Sequence, residues 1–155
     1  MSIGKYCPRT VRSVRPGETA RAAAQRMREE GVGCLVVTDQ GRPVGVVTDR
    51  DLALRVLRED LDAGALPVRE VMQSPVVTIA ADAPLGEGVK KLRKSALRRL
   101  VVVDDKKDAV GVFAADDLLR LVATELGDLG EALRVQLSRE TNVAPRGAAE
   151  GRGNA

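Results

Sequence analysis

The sequence predicts a mixed α/β (α+β) protein made of two pseudo-symmetric copies of one unit, short strand, helix, strand, strand, helix, packed as a single body. Three observations carry that prediction. Residues 11–57 and 76–122 follow one template, marked by Gly45-Val46-Val47-Thr48-Asp49-Arg50-Asp51-Leu52 and Gly111-Val112-Phe113-Ala114-Ala115-Asp116-Asp117-Leu118, with Asp51 and Asp117 66 positions apart. Within each copy the apolar spacing alternates between the helical period and short β-branched runs. The chain has 155 residues, 44% of them apolar, enough for one ordinary domain or two fused half-domains. Self-similarity at a fixed period makes each copy a unit whose apolar face the other copy covers, so function is sought in the clefts between them.

In the first copy, Thr19 to Glu30 is rich in helix formers, and Ala20, Ala23, Ala24 and Met27 fall on one helical face. Pro16-Gly17 punctuates its entry and Gly31 its end. Cys34–Thr38 and Val44–Thr48 are β-branched runs joined by Asp39-Gln40-Gly41-Arg42-Pro43, a strand, a tight turn and a second strand. Asp49–Arg58 returns to helical spacing through Leu52, Ala53, Val56 and Leu57. The second copy repeats this order. Leu85, Val89, Leu92 and Ala96 stand where Ala20, Ala24, Met27 and Gly31 stand, and Leu100–Asp104 and Val110–Ala114 repeat the strand pair. The organisation expected is a first repeat over 7–58, a linker over 59–70, a second repeat over 71–124, a helical extension over 125–140 and a disordered tail over 141–155. The extension places Leu126, Leu129, Leu133 and Leu137 near helical spacing, although Gly127 and Gly130 each weaken it by about 1 kcal/mol. The tail has too few large apolar side chains to offset its ordering entropy.

Composition removes several function classes. The chain has no histidine, hence neither the commonest general base nor the commonest metal ligand, and no enzymatic activity or metal site is expected. Tyr6 and Phe113 are the only aromatics, so there is no stacking surface for single-stranded nucleic acid. The 25 basic and 22 acidic residues are interspersed, the pattern of a solvated surface. The run Lys90, Lys91, Arg93, Lys94, Arg98, Arg99 is compatible with an acidic partner, but such helical runs mostly face water. Cys7 and Cys34 have no ligand spacing and read as reduced thiols, Cys34 as strand packing in preference to a redox sensor. No stretch approaches the ~18 apolar residues of a membrane helix and the N-terminus lacks a signal-peptide core, so a cytoplasmic protein is expected.

Val11-Arg12-Ser13-Val14 and Val76-Val77-Thr78-Ile79, Gly33-Cys34-Leu35-Val36-Val37 and Arg99-Leu100-Val101-Val102-Val103-Asp104, together with the two glycine-to-aspartate motifs, resemble the tandem cystathionine-beta-synthase (CBS) domains that pair into a Bateman module. The resemblance spans roughly Cys7 to Ala123. It implies a stand-alone regulatory module that binds AMP, ADP, ATP or S-adenosylmethionine between its repeats, forms a homodimer and signals to a partner protein, with no obligatory cofactor. It also implies that Arg98 and Arg99 contact phosphate across the cleft, whereas the residues alone read equally as a solvated strand entrance. Met72, in Val71-Met72-Gln73-Ser74-Pro75, resembles the usual entry to a repeat.

The motif also has a direct physical reading. A strand delivering Thr48 to a helix start, with Asp51 three positions on, sets a hydroxyl and a carboxylate at the positive end of the helix dipole, a corner suited to a sugar phosphate. Asp51 can accept from ribose hydroxyls, Thr48 and free amides can donate to phosphate, and Arg50 can help neutralise it. An adenine would lie against Val14 and Val32, its edge read by backbone near Arg12 and Cys34, with Ile79 and Asp117 as the second-copy residues of a binding cleft. The same Thr48-x-x-Asp51 is also a capping box, which alone explains it. Ala114 replaces the threonine in the second copy while Asp117 remains. That cleft is therefore expected to bind ribose phosphates less well, by about 0.5–1.5 kcal/mol, the worth of one hydrogen bond. The alternative reading is a structural dimerisation or docking module with empty clefts.

Overall fold

The computed structural model describes residues 2–7 and 10–141. The chain divides into two compact units, residues 1–118 and 119–155. The first holds two three-stranded sheets. In one, β1 (Ser13–Val14) runs parallel to β2 (Cys34–Asp39), which is antiparallel to β3 (Arg42–Thr48); in the other, β4 (Thr78–Ala80) runs parallel to β5 (Arg99–Val103), which is antiparallel to β6 (Ala109–Ala114). Helices α1 (Ala20–Glu30) and α3 (Leu85–Ser95) connect the first two strands of each sheet. The strand–helix–strand–strand–helix order read from the sequence is the order observed.

Local chemistry accounts for the boundaries. The Thr19 hydroxyl accepts from the Ala22 N–H and starts α1, and Gly31 closes it in the left-handed region at φ 64°. Its counterpart after α3 is Ala96, also left-handed at φ 53° and exposed, so the last of the four positions expected on a buried face is instead a helix cap. Ala24 and Val89 are exposed as well. The corresponding buried positions are Ala23 and Met27 on α1 against Gly88 and Leu92 on α3. After β3, α2 (Asp49–Leu52) passes into a wider π-helical turn over Ala53–Leu57, so the expected helix is present but not uniformly α. After β6, the last helix of the repeat and the extension expected over 125–140 form one continuous helix, α4 (Ala115–Thr141). Two glycines weaken it but neither removes a backbone donor as a proline would. Of the tail, residues 142–155 lie outside the described residues.

Each sheet uses both faces. Leu35, Val37 and Val47 join Val14, Ala23, Met27 and Leu52 in a first core, and Leu100, Val102 and Phe113 join Ile79 and Leu92 in a second. The alternate residues Val36 and Val101 are buried outside these clusters, which is why the strands read as unbroken apolar runs.

The segments leading into the repeats are exchanged. Ile3, in a 3₁₀ turn over Ile3–Lys5, is fully buried in the second core, while Val68, in a matching turn over Val68–Glu70, is fully buried in the first. The backbone repeats the exchange: Ile3 N–H donates to Ala83 O and Gly4 N–H to Ala81 O, as Val68 N–H donates to Glu18 O and Arg69 N–H to Pro16 O. The stretch 59–70, expected as a linker, thus contributes Leu66 and Val68 to the first core. Glycine makes room for it, since a methyl at Gly88 would stand 2.7 Å from Ile3 Cδ1 and 2.9 Å from Phe113 Cε1. Among the described residues no helix is long and apolar enough to cross a membrane.

Truncating Ile3 should therefore destabilise the distant second repeat. Ile3→Ala is expected to cost about 2–4 kcal/mol in urea unfolding, as for a fully buried aliphatic residue, and native-state hydrogen exchange should show β4–β6 amides losing protection.

Candidate functional site

A cleft of about 440 Å³ lies between the two repeats, within the range typical of small-molecule sites. Its aliphatic surface comes from the outward-facing strand residues Val36 and Val46 of the first sheet and Val101 and Val112 of the second, with Val76, Val77 and Leu97. Its polar rim has two parts. Thr48, Asp49 and Arg50 enter from the β3–α2 junction, and Arg98 and Arg99 from the start of β5. Gly33, Cys34, Gln73 and Pro75 complete the wall.

The β3–α2 corner is built by the backbone. The Asp49 N–H donates to Gly33 O across the sheet, which fixes the start of α2 beside the start of β2. The Asp51 N–H donates to the Thr48 hydroxyl at 3.1 Å, and the Thr48 N–H and hydroxyl donate to Asp51 Oδ2 at 2.9 and 2.8 Å, a complete capping box. The Asp51 carboxylate also accepts from Gln73 Nε2, at 2.9 Å to Oδ1 and 3.0 Å to Oδ2. Gln73 is itself fixed, its N–H donating to Val46 O and its carbonyl accepting from Val46 N–H. Asp51 therefore stands at the seam with its oxygens engaged, behind a glutamine that lines the cleft.

The second repeat repeats the frame without the cap. Ala115 N–H donates to Arg98 O, as Asp49 N–H does to Gly33 O, but Ala114 has no hydroxyl to match Thr48. Arg98 lies 3.6 Å from Asp116, an exposed pair of small energetic weight. Asp117 is half-buried in the first turn of α4, close enough to Cys7 to act on its thiol.

Of the residues singled out in the sequence, Cys34, Thr48, Arg50, Arg98 and Arg99 meet around this cleft. Asp51 adjoins it through Gln73. Val14, Val32 and Ile79 are not brought to it: Val14 and Ile79 are committed to the first and second cores, and Val32 packs against the first. Asp117 is also absent from its lining. Sequence reasoning missed Gln73 and the four valines. The valines were signalled by strand alternation, since they occupy the positions between the helix-facing residues; nothing in the sequence tied Gln73 to Asp51, 22 positions away.

Burial pushes the Cys34 thiol up; Arg99 opposes that rise, and Asp51 and Asp49 add to it. Burial, with a smaller contribution from Asp117, raises Cys7 from 9.0 to about 11. Among the described residues no group of His, Cys, Asp and Glu is arranged to hold a metal ion.

The family profile described as CBS domain matches residues 3–58 and 68–124. A protein of Methanopyrus kandleri is 35% identical over 129 residues, 80% of this chain and 66% of its own length. The CBS domain-containing protein YhcV of Bacillus subtilis is 36% identical over 108 residues, 70% of this chain and 76% of its own. The solved structure of a CBS domain protein of Pyrobaculum aerophilum complexed with AMP superposes with a TM-score of 0.70 at 29% identity, covering 83% of this chain and 99% of that one.

The Cys7 thiol sets a pH dependence. A group whose proton is held more tightly in the folded state contributes stability that is complete below its unfolded value, near 9, and disappears as pH rises toward about 11. The urea midpoint should fall across that window, and Cys7→Ala should reduce the slope; an identical slope in the variant would contradict the assignment.

Proposed function

The chain belongs to the CBS domain family, of which it carries two copies, and from that premise we propose that it is a regulatory module that binds an adenine nucleotide or related adenosyl compound in the cleft of Thr48, Arg50, Arg98 and Arg99. The observation that carries this reading is the convergence of three chemistries in one 440 Å³ space: an aliphatic floor, a helix start with an adjacent carboxylate, and cations from the opposite repeat. The base would rest on Val36, Val46, Val101 and Val112, which needs no aromatic partner. The ribose hydroxyls would donate to Asp51 in place of Gln73 Nε2. Phosphate oxygens would accept from the side chains of Arg50, Arg98 and Arg99. The AMP bound by the Pyrobaculum aerophilum relative supports this ligand class.

Binding would act on a partner protein by population shift. A ligand that prefers one arrangement of the repeats makes available only its differential affinity, typically about 1–3 kcal/mol. The second reading, a docking module with empty clefts, is favoured by one observation: the Asp51 carboxylate is already satisfied by protein donors. Neither reading assigns the chain a catalytic residue.

Calorimetry with AMP, ADP, ATP and S-adenosylmethionine separates the two, because a module with empty clefts gives no heat and no thermal shift with any of them. For the nucleotide that binds, the double variant Arg98→Ala, Arg99→Ala should lose about 1.5–3 kcal/mol of affinity, the worth of a charged hydrogen bond, with adenosine binding little changed. Asp51→Ala should lose affinity and also about 0.5–2 kcal/mol of stability, because the same carboxylate completes the helix cap. A variant that loses stability while its affinity is unchanged would leave Asp51 a cap alone.

A further inference from the structure

We propose that a second cavity, lined by the first repeat alone at the far end of β1 and β2 from the cleft, binds a small polar α-amino acid. It measures about 830 Å³ and lies between the β1–α1 loop and the β2–β3 turn. β2 begins at Cys34 in the cleft wall and ends at Asp39 in the cavity wall, five positions and about 17 Å further on, so the two sites are separate. The chain itself holds the walls in place. The Arg26 guanidinium donates to Ser13 O and to Glu18 Oε1, and Glu18 Oε2 accepts from Arg15 N–H, which ties α1 to the end of β1. Opposite, Gln40 and Gly41 turn the chain in the left-handed region at φ 50° and 85°, and Gly41 O accepts from Ala109 N–H of the second repeat. Arg26 and Glu18 neutralise each other. The Arg15 guanidinium, the Asp39 carboxylate and the Ser13 and Thr38 hydroxyls are left over, and among the described residues they form no hydrogen bond or ion pair.

The internal duplication supplies a control. The pairs Val14–Val37 and Ile79–Val102 hold the same register, so Ala80 stands where Arg15 does and Val103 where Thr38 does. Ala83 takes the place of Glu18, its carbonyl accepting from Ile3 N–H as that of Glu18 accepts from Val68 N–H. The second copy thus keeps the frame with alanine and valine. The frame does not require the polar set, whose half-buried charges cost desolvation that alanine avoids. Chemistry then selects the ligand. Two arginines and two carboxylates in the wall sum to no net charge, and one of each remains unpaired, an arrangement suited to a zwitterion and not to a phosphate. The ligand carboxylate accepts from Arg15, its ammonium donates to Asp39, and the Ser13 and Thr38 hydroxyls bond its polar side chain. Val14, the large aliphatic residue of the wall, is 1% exposed, so the cavity offers no apolar floor to a nucleobase or an aromatic side chain.

The proposal does not depend on what the cleft binds. Calorimetry of the full chain with L-serine, L-threonine, L-asparagine and L-glutamine, each alone at up to about 10 mM, should give binding heat with at least one of them. Arg15→Ala and Asp39→Ala should each weaken that amino acid by about tenfold or more, the loss of a hydrogen bond to a charged group. Both residues are exposed, so far-UV circular dichroism should show the variants folded. The methyl ester of the same amino acid should bind more weakly to the wild type and lose nothing further in Arg15→Ala, because the charge that Arg15 reads is already gone. No heat with any of the four, inorganic phosphate binding as tightly as the amino acid, or an affinity unchanged in either variant would each overturn the assignment.

Discussion

Everything positioned around the cleft depends on the exchange of lead-in segments between the repeats. Ile3 completes the core of the second repeat and Val68 that of the first, each held by two backbone hydrogen bonds of the same pattern. A half-domain of some sixty residues is near the size at which one apolar interior is barely sufficient, so each half borrows bulk from the other. Because Val68 is anchored in the first core, the chain that follows it passes Gly45, where a methyl would stand 2.6 Å from Met72 Sδ, and delivers Gln73 to Asp51. The geometry of the rim is therefore a consequence of packing several residues away.

Near-symmetry of the frame and asymmetry of its chemistry coexist. The bonds that fix each helix start to its strand, Asp49 N–H to Gly33 O and Ala115 N–H to Arg98 O, have the same length, 3.1 Å. Only the first copy adds Thr48 and the reciprocal cap. Backbone hydrogen bonds tolerate change of side chain, so duplication can preserve the scaffold while one copy loses a hydroxyl. The two copies need not then serve one ligand equally.

The fold was largely legible in the sequence because its signals are local and occur twice: β-branched runs around short turns, alanine-rich helical spacing, Thr19 and Gly31 at the helix ends. What escaped was non-local. The residues 59–70 look like a linker because only two of them, Leu66 and Val68, are buried apolar positions, and their partners lie in α1 and the first sheet. The junction of the last repeat helix with its extension was obscured by Gly127 and Gly130, whose local cost argues for a break that the continuous helix does not show. For the site, the residues at strand ends and helix starts, Cys34, Thr48, Arg50, Arg98 and Arg99, were accessible because the motif marks them. Val14 and Val32 were placed against a base, yet Val14 on β1 faces the core and Val32, between α1 and β2, packs against it.

The bidentate grip of Gln73 on Asp51 has a further consequence. Under the proposed reading, an incoming hydroxyl would not meet an idle acceptor; it would evict a resident amide, so net affinity would be a difference between two sets of donors. The evicted carboxamide belongs to a residue zipped by its main chain to Val46 and lying just past the anchored Val68. Occupancy at the corner would thereby be registered on the one stretch of polypeptide that joins the two halves of the molecule, which is where a reporter of binding would be best placed to be heard.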